Sequence, residues 1–170
     1  MLIIYGMGPR ALAVSTGLSF SEAQDFIQRY LDIHHSVRDY LDETKLKAHE
    51  DGYVETMFGR RRYFPEINSG VQMLVAAAER MAINMPVQGT AADVMKMAMV
   101  AVDKEIKKEK KKKIKMLLQV HDELVFEADQ ADAEKAAKRI KEIMENAVTF
   151  EVPLVVDVDV GKDWGQMKRI

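Results

Sequence analysis

The sequence of 170 residues contains no cysteine, which excludes disulfides and thiolate metal sites. No apolar run reaches the ~18 residues of a membrane-spanning helix, and no secretory leader is visible. No membrane partner is therefore expected, and the expected location is cytoplasmic. An excess of one charge is missing as well: 25 Lys and Arg stand against 27 Asp and Glu, for a net charge of -2. Nothing global points to a polyanionic partner, so any nucleic-acid surface must come from local clusters. Internal repeats and flexible linkers are absent. The only low-complexity stretch is the lysine run from Lys104 to Lys115. What is present is 48% hydrophobic content, enough for a domain with a true core.

The stretch "KMLLQVHDELVFEA", residues 115 to 128, also lacks something. Its two apolar runs read as buried or half-buried strands of a hairpin. The turn between them has no Asn-Gly or Asp-Gly, the pairs that tolerate positive φ most easily. It carries His121, Asp122 and Glu123 instead. Adjacent carboxylates repel unless a cation lies near them. Their hard oxygens suit Mg²⁺ or Mn²⁺, ions that serve phosphoryl transfer. A polar turn without a role is the plain alternative, since Asp is common in turns. The tight apolar flanks favour the metal.

Along the rest of the chain, "MLIIYGMGPRALA" enters at once on an apolar stretch with no N-cap and reads as a segment begun in the middle of something. A helical pattern opens at Ser21, with Glu22 and Gln24, and runs to Gly52 with a bend near His34-His35. "YVETM" and "RRRYFP" read as a short hairpin around Phe58-Gly59. A second helical region, about Val71 to Lys108, is expected to break at Pro86 and restart with Thr90 as N-cap and Asp93 in the first turn. A helix from about Gln130 to Asn146 and a final strand, "PLVVDVDVG", complete an α+β chain with an antiparallel sheet packed against helices.

Other groups have both plain and functional readings. Arg80, Asn84 and Gln88 are spaced by four, so they follow one helical face. Such side chains donate to minor-groove acceptors that every base pair presents, but a solvated stripe has the same spacing. Arg60-Arg61-Arg62 suits a phosphate backbone or an ordinary polar turn equally well. The lysine run reads as a solvated helix end favourable to the dipole. Asp157 and Asp159, alternating with valines, read as solvent-facing. Met81, Met85, Met95, Met97 and Met99 read as gap-filling core.

Four motifs then coincide in order: "YGMG" at 5 to 8, "GYVETMFGRRRY" at 52 to 63, "AERMAINMPVQGTAAD" at 78 to 93 and "LLQVHDELVFE" at 117 to 127. Together with the closing "VGKDW" they resemble the C-terminal part of family A DNA polymerases, the bacterial DNA polymerase I type. The resemblance implies a partial polymerase domain, with 1-15 the end of the fingers motif B and 16-170 mostly palm. It implies that His121-Asp122-Glu123 is motif C: Asp122 holds the catalytic Mg²⁺ pair, Glu123 supports the metal site, and His121 faces the primer terminus. Arg80, Asn84 and Gln88 match contacts to the primer-template duplex and are expected to face the same cleft as Asp122. Tyr5 and Gly6 match the end of motif B, beside the templating base. The implied reaction joins a primer 3′-hydroxyl to the α-phosphate of a dNTP.

The chain departs from that pattern in places. The motif A aspartate, the other metal ligand, has no counterpart here. The motif B lysine would precede residue 1, an aromatic position falls on Met1, and the thumb is absent. Val75 stands where an arginine is common. The reading is thus a polymerase fragment inactive by itself, whose partners are primer-template DNA, dNTP and the missing N-terminal segment. A truncated gene product, a split subunit and an excised piece remain open. A duplex-DNA-binding module without catalysis is the alternative. A phosphohydrolase built on His121-Asp122 is disfavoured, because His34, His35 and His49 lie in a distant helix.

Overall fold

The structure, a computed structural model, describes residues 2–108 and 114–170. It contains helices α1 (Pro9–Thr16), α2 (Phe20–Ile33), α3 (His35–Asp51), α4 (Gln72–Lys108) and α5 (Ala133–Glu145). The strands are β1 (Tyr53–Glu55), β2 (Arg61–Tyr63), β3 (Ile114–Val120), β4 (Glu123–Ala128), β5 (Asp159–Val160) and β6 (Lys168–Arg169). All pairing is antiparallel, which makes the chain α+β as expected. Among the described residues the sheets are two-stranded: β1-β2, β3-β4 and β5-β6. The chain divides into two units, Met1–Thr90 and Ala91–Ile170.

In the first unit, the opening apolar stretch is a 3-10 turn (Leu2–Tyr5) followed by α1, which the sequence did not announce. Pro9 sits at the start of α1, where its missing N–H has no intrahelical partner to lose, and Gly17 ends it at φ 76°. Helix α2 begins at Phe20, earlier than expected, because Ser19 and not Ser21 is the cap. The Ser19 hydroxyl accepts from the Glu22 N–H, and the Glu22 carboxylate accepts from the Ser19 N–H at 2.9 Å. These reciprocal bonds satisfy two orphan donors; the Ser19 hydroxyl also donates to the Glu22 carboxylate at 2.7 Å, and that bond first and the Ser19 N–H second hold the Glu22 carboxyl below its ordinary value. Ser19→Ala is expected to weaken α2 by about 1 kcal/mol, measured as a shift of the chemical denaturation midpoint; an unchanged midpoint refutes the cap. The expected bend falls at His34, between α2 and α3. Ile3, Leu12 and Ala23 form one apolar cluster. Ala48, Val54, Phe64, Ile67, Ala78, Ala82 and Met85 form another, which seats β1 and α3 on α4.

Helix α4 corrects the sequence reading most clearly: it continues through Pro86. Pro86 leaves the Ala82 carbonyl without its helical donor, but Ala82, Ile83 and Met85 are all buried. Burial of that face outweighs one lost hydrogen bond, and the Tyr40 hydroxyl donates to the neighbouring Ile83 carbonyl at 3.3 Å. Thr90 is consequently inside the helix and caps nothing; its hydroxyl accepts from the Met57 N–H at 3.0 Å. Asp93 is buried. Of the methionines, Met85 and Met95 are core, whereas Met81 is exposed.

In the second unit, Val102 of α4, Ile114 of β3, and Ala136 and Ile140 of α5 form the core, with Ile106, Met116 and Phe126 packed around them. The β3-β4 register shifts between Met116 and Leu118. That bulge interrupts the two-residue alternation, and Leu117 and Leu118 both lie exposed, at 50% and 52%. Helix α5 starts at Ala133, later than expected. The expected strand at 153–161 reduces to β5. Ahead of it, the Val156 N–H donates to Glu145 at 2.9 Å and its carbonyl accepts from Lys141, so α5 side chains serve this backbone where a strand ladder was expected. Asp157 and Asp159 are exposed as read, and Arg169 pairs with both, at 2.7 and 2.9 Å. Positions 109–113, within the lysine run, lie outside the described residues.

Candidate active site and nucleic-acid surface

The β3-β4 hairpin puts His121 and Asp122 in its two-residue turn and Glu123 at the start of β4, opposite Val120. A turn this short needs positive φ, and His121 supplies it at φ 53°, the only non-glycine residue among those described to do so. The Gln119 side chain steadies the turn by donating to the His121 carbonyl at 2.9 Å. All three side chains are exposed. Among the described residues, no side-chain hydrogen bond or ion pair engages Asp122 or Glu123. No group of three or more metal-ligating side chains converges among them either.

Arg80, Asn84 and Gln88 lie on α4 in the first unit, and because the helix is unbroken they form one slowly turning face. Arg80 and Gln88 are exposed; Asn84 is half-buried. The Asn84 amide donates to the Tyr5 carbonyl at 3.3 Å, and its own carbonyl oxygen is buried without a partner among the described residues. Gly6 follows at φ 81°, and a Cβ there would lie 2.9 Å from Ile83 and 3.1 Å from the Arg80 stem. The Tyr5-Gly6 turn is therefore seated directly on the Arg80–Asn84 stretch. The structure thus joins four of the five predicted DNA-contact residues in one place, through contacts that span most of the unit's length.

The model of "DNA polymerase family A" matches residues 2–166. This chain belongs to DNA polymerase family A. It is 48% identical over 167 residues to the thermostable DNA polymerase I of Thermus filiformis, covering 98% of this chain and 20% of that protein. It is 46% identical to DNA polymerase I of Pseudomonas aeruginosa, covering 96% of this chain and 18% of that protein. The chain therefore spans about a fifth of these relatives' length. The POL domain of Pol1 from M. smegmatis, solved with DNA primer-template and dNTP, matches with a TM-score of 0.83 at 41% identity, over 90% of this chain and 27% of that one. Among the described residues, no helix is long and apolar enough to cross a membrane.

Two features of this family A chain went unread in its sequence. The first is a latch between the β1-β2 hairpin and α4. A Cβ on Gly89 would lie 2.7 Å from the Thr56 methyl, so the glycine admits the hairpin to the helix. Thr56 accepts from the Phe58 and Arg60 N–H groups, and Thr90 from Met57. Arg61 is held by Glu55 at 2.6 Å and lies over the Tyr53 ring, while Arg62 lies over Phe64 and reaches the Met81 sulfur at 3.2 Å. The second feature is a cluster of His49, Asn68 and Glu79. A glycine-threonine pair inside a helix, facing a threonine at a strand end, was the available signal for the latch.

Proposed function

We propose that this chain is the palm portion, with the end of the fingers, of a DNA-directed DNA polymerase. The observation that carries the proposal is the exposed Asp122-Glu123 pair, without side-chain partners among the described residues, at the tip of the β3-β4 hairpin in a family A chain. Two hard carboxylates fit Mg²⁺ as part of a coordination sphere, since that ion takes one or two protein carboxylates and completes its shell with water and phosphate oxygens. Bound there, the metal supplies electrophilic stabilisation of the phosphoryl oxygens. Asp122 and Glu123 would hold it, and His121 would stand by the primer terminus. The primer 3′-oxygen bonds to the α-phosphorus of the dNTP as the bond to pyrophosphate breaks. Arg80 and Gln88 contact the primer-template duplex, and Asn84 holds Tyr5 and Gly6 for the templating position. The DNA and dNTP in the mycobacterial relative's structure support this choice of partners. On this reading the family's second aspartate and triphosphate-binding lysine have no counterpart among the motifs of this chain.

Fluorescence anisotropy with a primer-template duplex tests the DNA surface. Arg80→Ala is expected to weaken binding about equally on unrelated sequences and to lower the salt slope by about 1. Gln88→Ala is expected to weaken it while leaving the slope unchanged, because an uncharged donor releases no counterion. Wild-type affinity in both variants removes α4 from the DNA surface. Binding by the chain that persists when the second aspartate and lysine are restored, still without turnover, favours the binding-module alternative.

A further inference from the structure

The His49 imidazole, near the end of α3, has both of its nitrogens facing oxygen. Nε2 lies 3.0 Å from the Glu79 carboxylate on α4, and Nδ1 lies 2.8 Å from the Asn68 side-chain oxygen. The Asn68 amide is not free to turn around, because its Nδ2 donates to the His49 carbonyl at 3.0 Å. A neutral imidazole has one N–H and would set its other nitrogen's lone pair against an oxygen; the imidazolium donates on both sides. Among the described residues, Glu79 is the charged group that acts on it. Lys45, one turn back on α3, is taken by Asp42. Glu55 on β1 is taken by Arg61. Glu50 and Asp51 are exposed at the end of α3, and Glu66 is exposed in the loop that carries Asn68. The His49 side chain is 33% exposed and that of Glu79 31%, so the pair is partly shielded from solvent and still open to protons.

We propose that His49 is a protonation-dependent bolt and a positioning residue: as imidazolium it ties the end of α3 and the 64–71 loop to α4 at Glu79, the residue before Arg80, and on deprotonation it lets go. The imidazole holds its proton above the ordinary value of 6.5, chiefly through the bond to Glu79 and next through that to Asn68, consistent with the geometry. A histidine whose proton is held more tightly in the folded state stabilises that state fully below its unfolded value. That stabilisation is lost as pH rises through the folded value. The window therefore opens near 6.5 and extends upward, the direction opposite to that of a carboxylate whose proton affinity the fold lowers. The effect on DNA rests on the reading of Arg80 above.

Three measurements on the 170-residue chain test the bolt. Two-dimensional NMR of the ring resonances should show His49 titrating above 6.5; titration at or below the ordinary value of about 6.5 overturns the proposal. The denaturation midpoint of the wild type should fall between about pH 6 and about pH 8, whereas His49→Arg, which keeps a cation and donors to both oxygens, should be flat over that range. His49→Gln, which cannot be a cation, should match wild type at the high end of the range and lie below it at the low end. Equal pH slopes in wild type and His49→Gln also overturn the bolt, even if the arginine variant fails to fold. Primer-template affinity should decline with pH more steeply in wild type than in His49→Arg. Parallel affinities alongside a shifted His49 titration keep the bolt and remove its link to DNA binding, while unchanged affinity in Arg80→Ala removes Arg80 from the duplex surface, which separates the two failures.

Discussion

A primer annealed to a template and supplied with dNTPs is expected to remain unextended by the purified 170-residue chain, in Mg²⁺ and then in Mn²⁺. The reason is a count of charges. A pair of divalent ions, as the proposed function implies, would bring four positive charges into a small volume. The triphosphate would compensate part of that charge, and Asp122 and Glu123, as the proposed holders of the metal, another part. The remainder would call for a further carboxylate. Asp122 and Glu123 are consecutive at one hairpin tip, and among the described residues no third metal-ligating side chain joins them. In the function proposed above, the leaving phosphates need a cation that neither Asp122 nor Glu123 provides, and removing one electrostatic partner of this kind typically lowers the rate by roughly 10²–10³. With two such partners missing, the loss approaches the detection limit. The control is Asp122→Ala. Extension by the chain that disappears in this variant identifies a complete enzyme and refutes the count. In a chain rejoined to a segment carrying the second aspartate and the lysine, the same substitution should lower the rate by at least ~10²–10³.

The second large effect is a reversal of sign. Gly89 lies inside α4, where glycine to alanine ordinarily stabilises a helix by roughly 1 kcal/mol. Here the new methyl would lie 2.7 Å from the Thr56 methyl. Thr56 is β-branched, buried, and fixed by bonds from Phe58 and Arg60, so it cannot swing aside as a long flexible chain would. Overpacking of this kind costs about 1–3 kcal/mol, and Gly89→Ala is expected to destabilise the first unit by up to about 2 kcal/mol net of the helical gain. Thr56→Ser removes the offending methyl and keeps the accepting hydroxyl. In the double variant Gly89→Ala with Thr56→Ser, most of the loss should return, a coupling read directly from a double-mutant cycle in chemical denaturation. Additive losses in that cycle would falsify the latch as the reason for the glycine.

The residues whose roles are local were legible from the sequence. The β3-β4 hairpin could be read because its apolar runs and polar turn are properties of neighbours, and the bend at His34 and the β1-β2 hairpin could be read for the same reason. Where two local solutions competed, the choice slipped: Ser19 with Glu22 and Ser21 with Gln24 offer the same spacing for a cap, and the folded chain closes the first of them. Four-residue spacing likewise aligned Arg80, Asn84 and Gln88. It did not reveal that Asn84 spends its donor on Tyr5, a partner 79 residues away in the chain.

Tertiary structure decided the points at which a local preference was outweighed. Pro86 favours a break, yet α4 continues, because the apolar area buried by Ala82, Ile83 and Met85 exceeds the loss of one backbone hydrogen bond. Val155, Val156 and Val158 favour a strand, yet Lys141 and Glu145 of α5 take up the backbone of Val156. Sequence by itself determined the family, the α+β class and the hairpin that presents Asp122 and Glu123, since each is written in residues adjacent or periodic along the chain. The seating of Tyr5 and Gly6 on α4, the Gly89 latch and the His49 bolt depend on distances between residues far apart in sequence, and no local period encodes those distances.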